Sequence, residues 1–172
     1  MLTGIALRPL VLLLPALMSC SIALASPLPV PTGRVLLALS GDITHTNVGD
    51  EAHFDRAMLE ALPARVIETH TPWHSDRGRY EGPLVRALLE TVGAAEAEQV
   101  RIRALNHYEA EVPVADFRRH DVILAMTRDG DPLTIREYGP LFVLYPFDEH
   151  PELLTEAIRF RSVWHVERII VP

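Results

Sequence analysis

The chain has 172 residues, with 16 basic and 23 acidic side chains and a formal charge of −7 when the histidines are neutral. This acidic balance speaks against nucleic acid and anionic membrane surfaces as partners, because both carry the same sign. A single cysteine, Cys20, excludes a disulfide framework, and the length suits one domain with a real core rather than two.

In chain order, Leu10 to Ile22 is an apolar run preceded by Arg8 and followed by Ala23-Leu24-Ala25, a small-x-small signature that predicts a signal peptide over 1–25, cut before Ser26. An exported, periplasmic protein follows from it. Leu17-Met18-Ser19-Cys20 offers a competing lipobox with Cys20 as a lipid anchor, although Met18 suits that motif poorly. No later stretch approaches the roughly 20 apolar residues of a membrane span. All 23 acidic residues lie beyond the leader and Arg8 lies within it, so cleavage leaves a more negative chain with no thiol. Disulfides, thiolate metal sites and cysteine nucleophiles are then excluded together.

Residues 26–33 carry three prolines and read as an extended tether, with the domain running over 34–172. Val35 to Leu39 is a continuous apolar run that predicts a buried strand. Asp55 can cap a short helix with Met58, Leu59 and Leu62 on one face, stopped by Pro63, and Arg65 to Thr71 alternates as a strand. Thr71 to Arg79 is polar and irregular and is expected to be a functional loop. Gly82-Pro83 should open a second helix, with Pro83 in its first turn and Gly93 as its terminator. Val100 to Leu105 and Glu109 to Val114 form a predicted hairpin through Asn106-His107-Tyr108. Val122 to Thr127, an Asp129-Gly130 turn, a short return through Pro132 and Leu133, and Leu141 to Tyr145 follow as strands around a tight turn and a loop. A helix beginning near Pro151 and a strand over Trp164 to Val171 complete the chain. Strands mixed with about three short helices give an α+β class.

Several of these segments, taken in order, resemble the molybdopterin-binding domain of sulfite-oxidase-type oxidoreductases. Arg128-Asp129-Gly130-Asp131-Pro132-Leu133 and Gly139-Pro140-Leu141 are similar to the family's "DG-x-PL" hairpin and the "GxPL" strand that follows it. The helix ending Leu62-Pro63, the stretch Tyr80-Glu81-Gly82-Pro83-Leu84 and the closing Val163-Trp164-His165 keep the family's order. The resemblance implies a single mixed α+β domain of that fold. It also implies a molybdenum-bound cysteine near the end of the Arg65 to Thr71 strand, where this chain has Glu68-Thr69-His70-Thr71-Pro72-Trp73. A neutral threonine does not replace a thiolate as a soft ligand. Cofactor insertion in the cytoplasm would further call for twin-arginine export, and Arg8 stands alone.

The residues expected to line the former cofactor pocket are Trp73, Arg77, Arg79, Tyr80, Arg136 and Tyr138, with Arg128 approaching from the hairpin. An indole face and forked guanidinium groups suit a flat ring that carries a negative charge. The contrasting reading has each arginine solvated and paired with the abundant carboxylates. His70 and His74 are weak metal candidates, because Pro72 between them forbids a helix that would align them. Trp164, Ile169 and Phe142 read as core. No GxSxG and no phosphate-cradling glycine loop occurs. The expected function is a degenerate, exported molybdopterin-binding-domain-like protein acting as a small-ligand-binding or sensory module, its ligand anionic or aromatic and a membrane signalling partner its output. The alternatives are an active molybdopterin-dependent oxidoreductase with His70 or Thr71 in place of the cysteine, and an interaction protein with a filled pocket. The cofactor stays open, with molybdopterin disfavoured.

Overall fold

The structure, a computed structural model, describes residues 28–172. The expected signal peptide, its expected cleavage point and Cys20 lie outside the described residues. Of the tether, residues 28–33 lie against the domain: the amides of Thr32 and Gly33 donate to Asp55 Oδ2, and Leu28 packs against the core.

The first sheet has five strands. β1 (Val35–Gly41) pairs antiparallel with β2 (Ala52–Asp55) and parallel with β11 (Val166–Val171). β11 then pairs antiparallel with β5 (Gln99–Ala104), which pairs with β6 (Glu109–Pro113), giving the order β2-β1-β11-β5-β6. β1 has a neighbour on both edges, and Leu37, Ala38 and Leu39 are all buried, which explains its unbroken apolar run. The second sheet, β3 (Ala64–Thr71), β4 (His74–Pro83), β8 (Thr127–Arg128) and β9 (Asp131–Pro132), runs in the order β3-β4-β8-β9. A two-stranded pair of β7 (Ile123–Ala125) and β10 (Phe142–Leu144), buried throughout, runs beside the end of β4 through the Leu84–Ile123 bridge and reaches the first sheet where the Val166 amide donates to the Leu141 carbonyl.

Helices are short and belong to this core. α1 (Arg56–Glu60) is capped as expected, with Asp55 Oδ1 accepting from the Met58 amide. α2 (Val85–Thr91) buries Val85, Ala87, Leu88 and Leu89 and ends at Gly93, whose φ is +74°. α3 (Val114–His120) buries Val114 and Phe117, and α4 (Glu156–Arg161) is capped by Thr155, whose hydroxyl accepts from the Ile158 amide. At the β8–β9 turn both Asp129 and Gly130 have positive φ, the geometry that matches strand twist in a two-residue hairpin.

Three expectations about local structure change, and two elements are added. The stretch expected as a functional loop, Thr71 to Arg79, is instead the end of β3, a two-residue turn at Pro72-Trp73 and the first part of β4, which pairs antiparallel with β3. Its polar, alternating composition belongs to a strand with one wet face. Pro83 ends β4 and precedes the Leu84 cap rather than sitting in the first helical turn. β2 and α3 were not anticipated, because each is too short to carry a full period. The C-terminal helix starts at Glu156, and Pro151–Leu153 is a separate 3-10 turn.

Candidate functional site

The β3–β4 hairpin positions the candidate site. Its register shifts between Thr69 and Thr71, and the turn that follows puts Trp73 at the tip. The Thr71 hydroxyl oxygen accepts from the amides of Trp73 at 3.3 Å and His74 at 3.1 Å, which closes the turn without a glycine. The Trp73 ring folds back onto the core, edge-on to Phe142 at 5.3 Å and tilted against Phe147 at 6.3 Å.

Inside the hairpin lies a polar cluster. His74 Nδ1 is 3.1 Å from Thr71 Oγ1 and 3.0 Å from Tyr80 Oη, and its ring meets the Tyr138 ring edge-on at 5.0 Å. Arg128 lies over the Tyr80 ring at 5.8 Å and reaches out to Asp76 at 2.8 Å. That approach requires Gly78: a Cβ there would come within 2.6 Å of Arg128 Nε. Burial, and then the Arg128 charge, hold the His74 pKa below its usual value, while burial raises that of Tyr80. His74 is therefore neutral near pH 7.

Strand alternation separates the residues expected to converge. Tyr80 points inward and is fully buried, whereas Arg77 and Arg79 lie on the outer face of β4. Arg77 pairs with Glu68 and Asp148, and Arg79 with Glu81. Arg136 is exposed on a 3-10 turn at Ile135–Glu137. Tyr138 does meet Trp73: its hydroxyl donates to the Trp73 carbonyl at 3.3 Å, and its ring packs edge-on against Trp164 at 5.6 Å. His70 is exposed and pairs with Asp148, while His74 is half-buried. Among the described residues no group of three His, Cys, Asp or Glu is placed to hold a metal ion.

Beside Trp73 opens a mostly apolar cavity of about 270 Å³, walled by Trp73, Trp164, Tyr108 and Phe160, with Arg159, Asn106 and Ser162 among its polar members. The β5–β6 turn supplies Asn106 and Tyr108, α4 supplies Arg159 and Phe160, and Trp164 comes from the segment before β11. The Tyr108 hydroxyl donates to the Phe160 carbonyl at 2.9 Å and ties two of these walls together. Sequence reasoning found only Trp73 of this set. Trp164, expected in the core, is half-buried and forms a wall, whereas Phe142 and Ile169 are fully buried. Its position after Asn106-His107 makes Tyr108 a turn residue in the sequence. No local signal joins it to residue 160, because that union arises only when α4 packs against β6.

A family model for the oxidoreductase molybdopterin binding domain matches residues 49–147, more than half of the chain. The chain belongs to that family. Among solved structures, this molybdopterin-domain protein is similar to the sulfane dehydrogenase SoxCD from Paracoccus pantotrophus, with a TM-score of 0.57 at 16% identity over 78% of the chain. The match spans 37% of the length of that dehydrogenase chain, and the likeness is one of fold. No curated protein matches the sequence.

The family's cofactor can be tested against the residues present. No thiol occurs in the described residues, since the sequence has one cysteine, at position 20. The two threonine hydroxyls near the end of β3 are already engaged: Thr71 closes the turn, and Thr69 donates to the His70 carbonyl and accepts from the Asp148 amide. Neither is available as a deprotonated oxygen ligand without breaking the hairpin. This donor set does not fit the family's thiolate-bound molybdenum.

Proposed function

We propose that this protein is an exported, degenerate member of the molybdopterin-binding-domain family that works as a small-ligand-binding module, with a sensory output to a membrane partner. The observation that carries this reading is the double role of the Pro72-Trp73 turn. Thr71, near the position where the family's ligand would stand, is held in hairpin hydrogen bonds, while Trp73 walls an open cavity of about 270 Å³. Volume and lining suit a ligand of one or two rings, at the small end of protein binding sites. Tyr138 supports both tryptophans from behind. Because the cavity is open, an interaction protein with a filled pocket is the weaker alternative. The apolar run at 10–22 supports export.

The test is to purify the protein from the exported fraction of a host that makes the molybdenum cofactor, then to measure molybdenum, pterin fluorescence and ligand-induced thermal stabilisation. The expected result is molybdenum far below stoichiometry, together with stabilisation by small aromatic compounds that Trp73→Ala abolishes. Near-stoichiometric molybdenum with pterin would overturn the reading and restore a redox enzyme.

A further inference from the structure

We propose that the Trp73 cavity selects a small aromatic carboxylate, with Arg159 binding the carboxylate and Trp164, Tyr108 and Phe160 enclosing the ring. The inference rests on the ligand-binding reading above and adds the ligand's charge, its ring and the residue that recognises it.

The donor and acceptor inventory of the cavity wall carries the charge. Ser162 Oγ donates to the Ile158 carbonyl, and the Tyr108 hydroxyl donates to Phe160 O, so neither hydroxyl proton is available to a ligand. Asn106 Oδ1 accepts from the Tyr108 amide at 3.2 Å, which leaves its NH2 group as a donor. Among the described residues no carboxylate lies within ion-pair distance of Arg159, and no side chain hydrogen-bonds its guanidinium. This sets it apart from the neighbouring Arg161, which pairs with Asp116 at 2.9 Å. Neither indole N–H is paired within the described residues. Among the described residues, the donors left free at this wall are the Arg159 guanidinium, the Asn106 NH2 group and the two indole N–H groups. The acceptors left are lone pairs on the neutral oxygens of Ser162, Tyr108 and Asn106, so the wall carries a permanent cation and no carboxylate. In so acidic a chain, an arginine left without a carboxylate beside an apolar cavity is suited to an anion from outside.

The walls carry the shape. Two indoles, a phenol and a phenyl ring surround the space, and Phe160 is 58% exposed although its ring is as apolar as any in the core. Flat rings pack edge-on or offset against such walls, and a guanidinium forks onto a carboxylate in two parallel hydrogen bonds. An aliphatic anion would leave the aromatic walls wet, and a neutral ring would leave Arg159 without a partner.

The experiment is titration calorimetry on the full chain with 2-naphthoate and its neutral counterpart 2-naphthamide, using wild type, Arg159→Gln and Trp164→Ala. Arg159 is exposed, so its replacement should leave the melting temperature unchanged, and that measurement serves as the folding control. The expected result is naphthoate binding at least tenfold tighter than naphthamide in wild type. Arg159→Gln should remove that preference with naphthamide binding unchanged, and Trp164→Ala should weaken both ligands. Equal binding of the two in wild type, or a preference that survives Arg159→Gln, overturns the carboxylate assignment and leaves the ligand-binding reading standing. Binding of neither ligand overturns both.

Discussion

His74 concentrates the physics of the hairpin in one side chain. It is neutral because burial and the nearby Arg128 charge oppose its protonation, against the weaker pull of Asp76, Glu137 and Asp129. A histidine whose folded pKa lies below its unfolded value contributes stability that is complete above about pH 6.5. That stability is lost as pH falls through the interval down to the folded pKa, since the unfolded chain binds the proton first. His120 is depressed in the same direction, by burial and then by His150. Urea unfolding at a series of pH values below 6.5 should therefore give falling stability, with a slope that His74→Gln reduces by up to about 1.4 kcal/mol per pH unit and does not abolish. An unchanged slope in the variant would mean that the imidazole protonates in the folded hairpin without penalty. Residue type alone could not reveal any of this. The sequence presents His74 as one of eight histidines, and only the pairing of β3 with β4 sets it beside Thr71 and Tyr80.

At the scale of elements, β4 is the pivot. It pairs with β3 along one edge and β8 along the other, and its inward residues Gly78 and Gly82 decide how closely Arg128 and the backbone of β7 can approach. At Gly82 the backbone of β7 comes so near that a Cβ would sit 2.0 Å from the Leu124 carbonyl oxygen. The clash is with main chain, so no rotamer change relieves it. Gly82→Ala should cost about 3 kcal/mol, read as a lower urea midpoint at unchanged m-value. A variant as stable as wild type would show that the two strands can separate freely. Alternation was legible for β3 in the run Arg65 to Thr71, and the α1 cap was legible at Asp55. For β4 the same alternation was hidden, because the inward positions are two glycines and a tyrosine rather than aliphatic residues. A glycine that permits close approach looks, in sequence, like a loop glycine.

Across the whole molecule, the buried apolar side chains form one continuous cluster reaching from Leu37 to Val171, which takes in every residue of the β7–β10 pair. The two larger sheets share this cluster, so neither should persist without the other. Thermal unfolding followed by near- and far-ultraviolet circular dichroism should give coincident single transitions. Separate transitions for the aromatic and backbone signals would mean that the hairpin sheet melts by itself. Among the described residues no helix is long and apolar enough to cross a membrane.

By itself the sequence determined the α+β class, the resemblance to the molybdopterin-binding domain, most element positions and the absence of a thiol beyond residue 20. These properties are written in residue type and short-range period, which neighbouring residues impose on each other wherever the chain goes. Tertiary structure alone decided that Arg77 and Arg79 turn outward to Glu68, Asp148 and Glu81 while Tyr80 turns inward. It also decided that Tyr108, Phe160 and Trp164 meet Trp73 around a cavity. The reason is that a pleated strand sends successive side chains to opposite faces, so which residues meet depends on strand register and on which sheet covers which face. Both are fixed by packing among segments tens of residues apart.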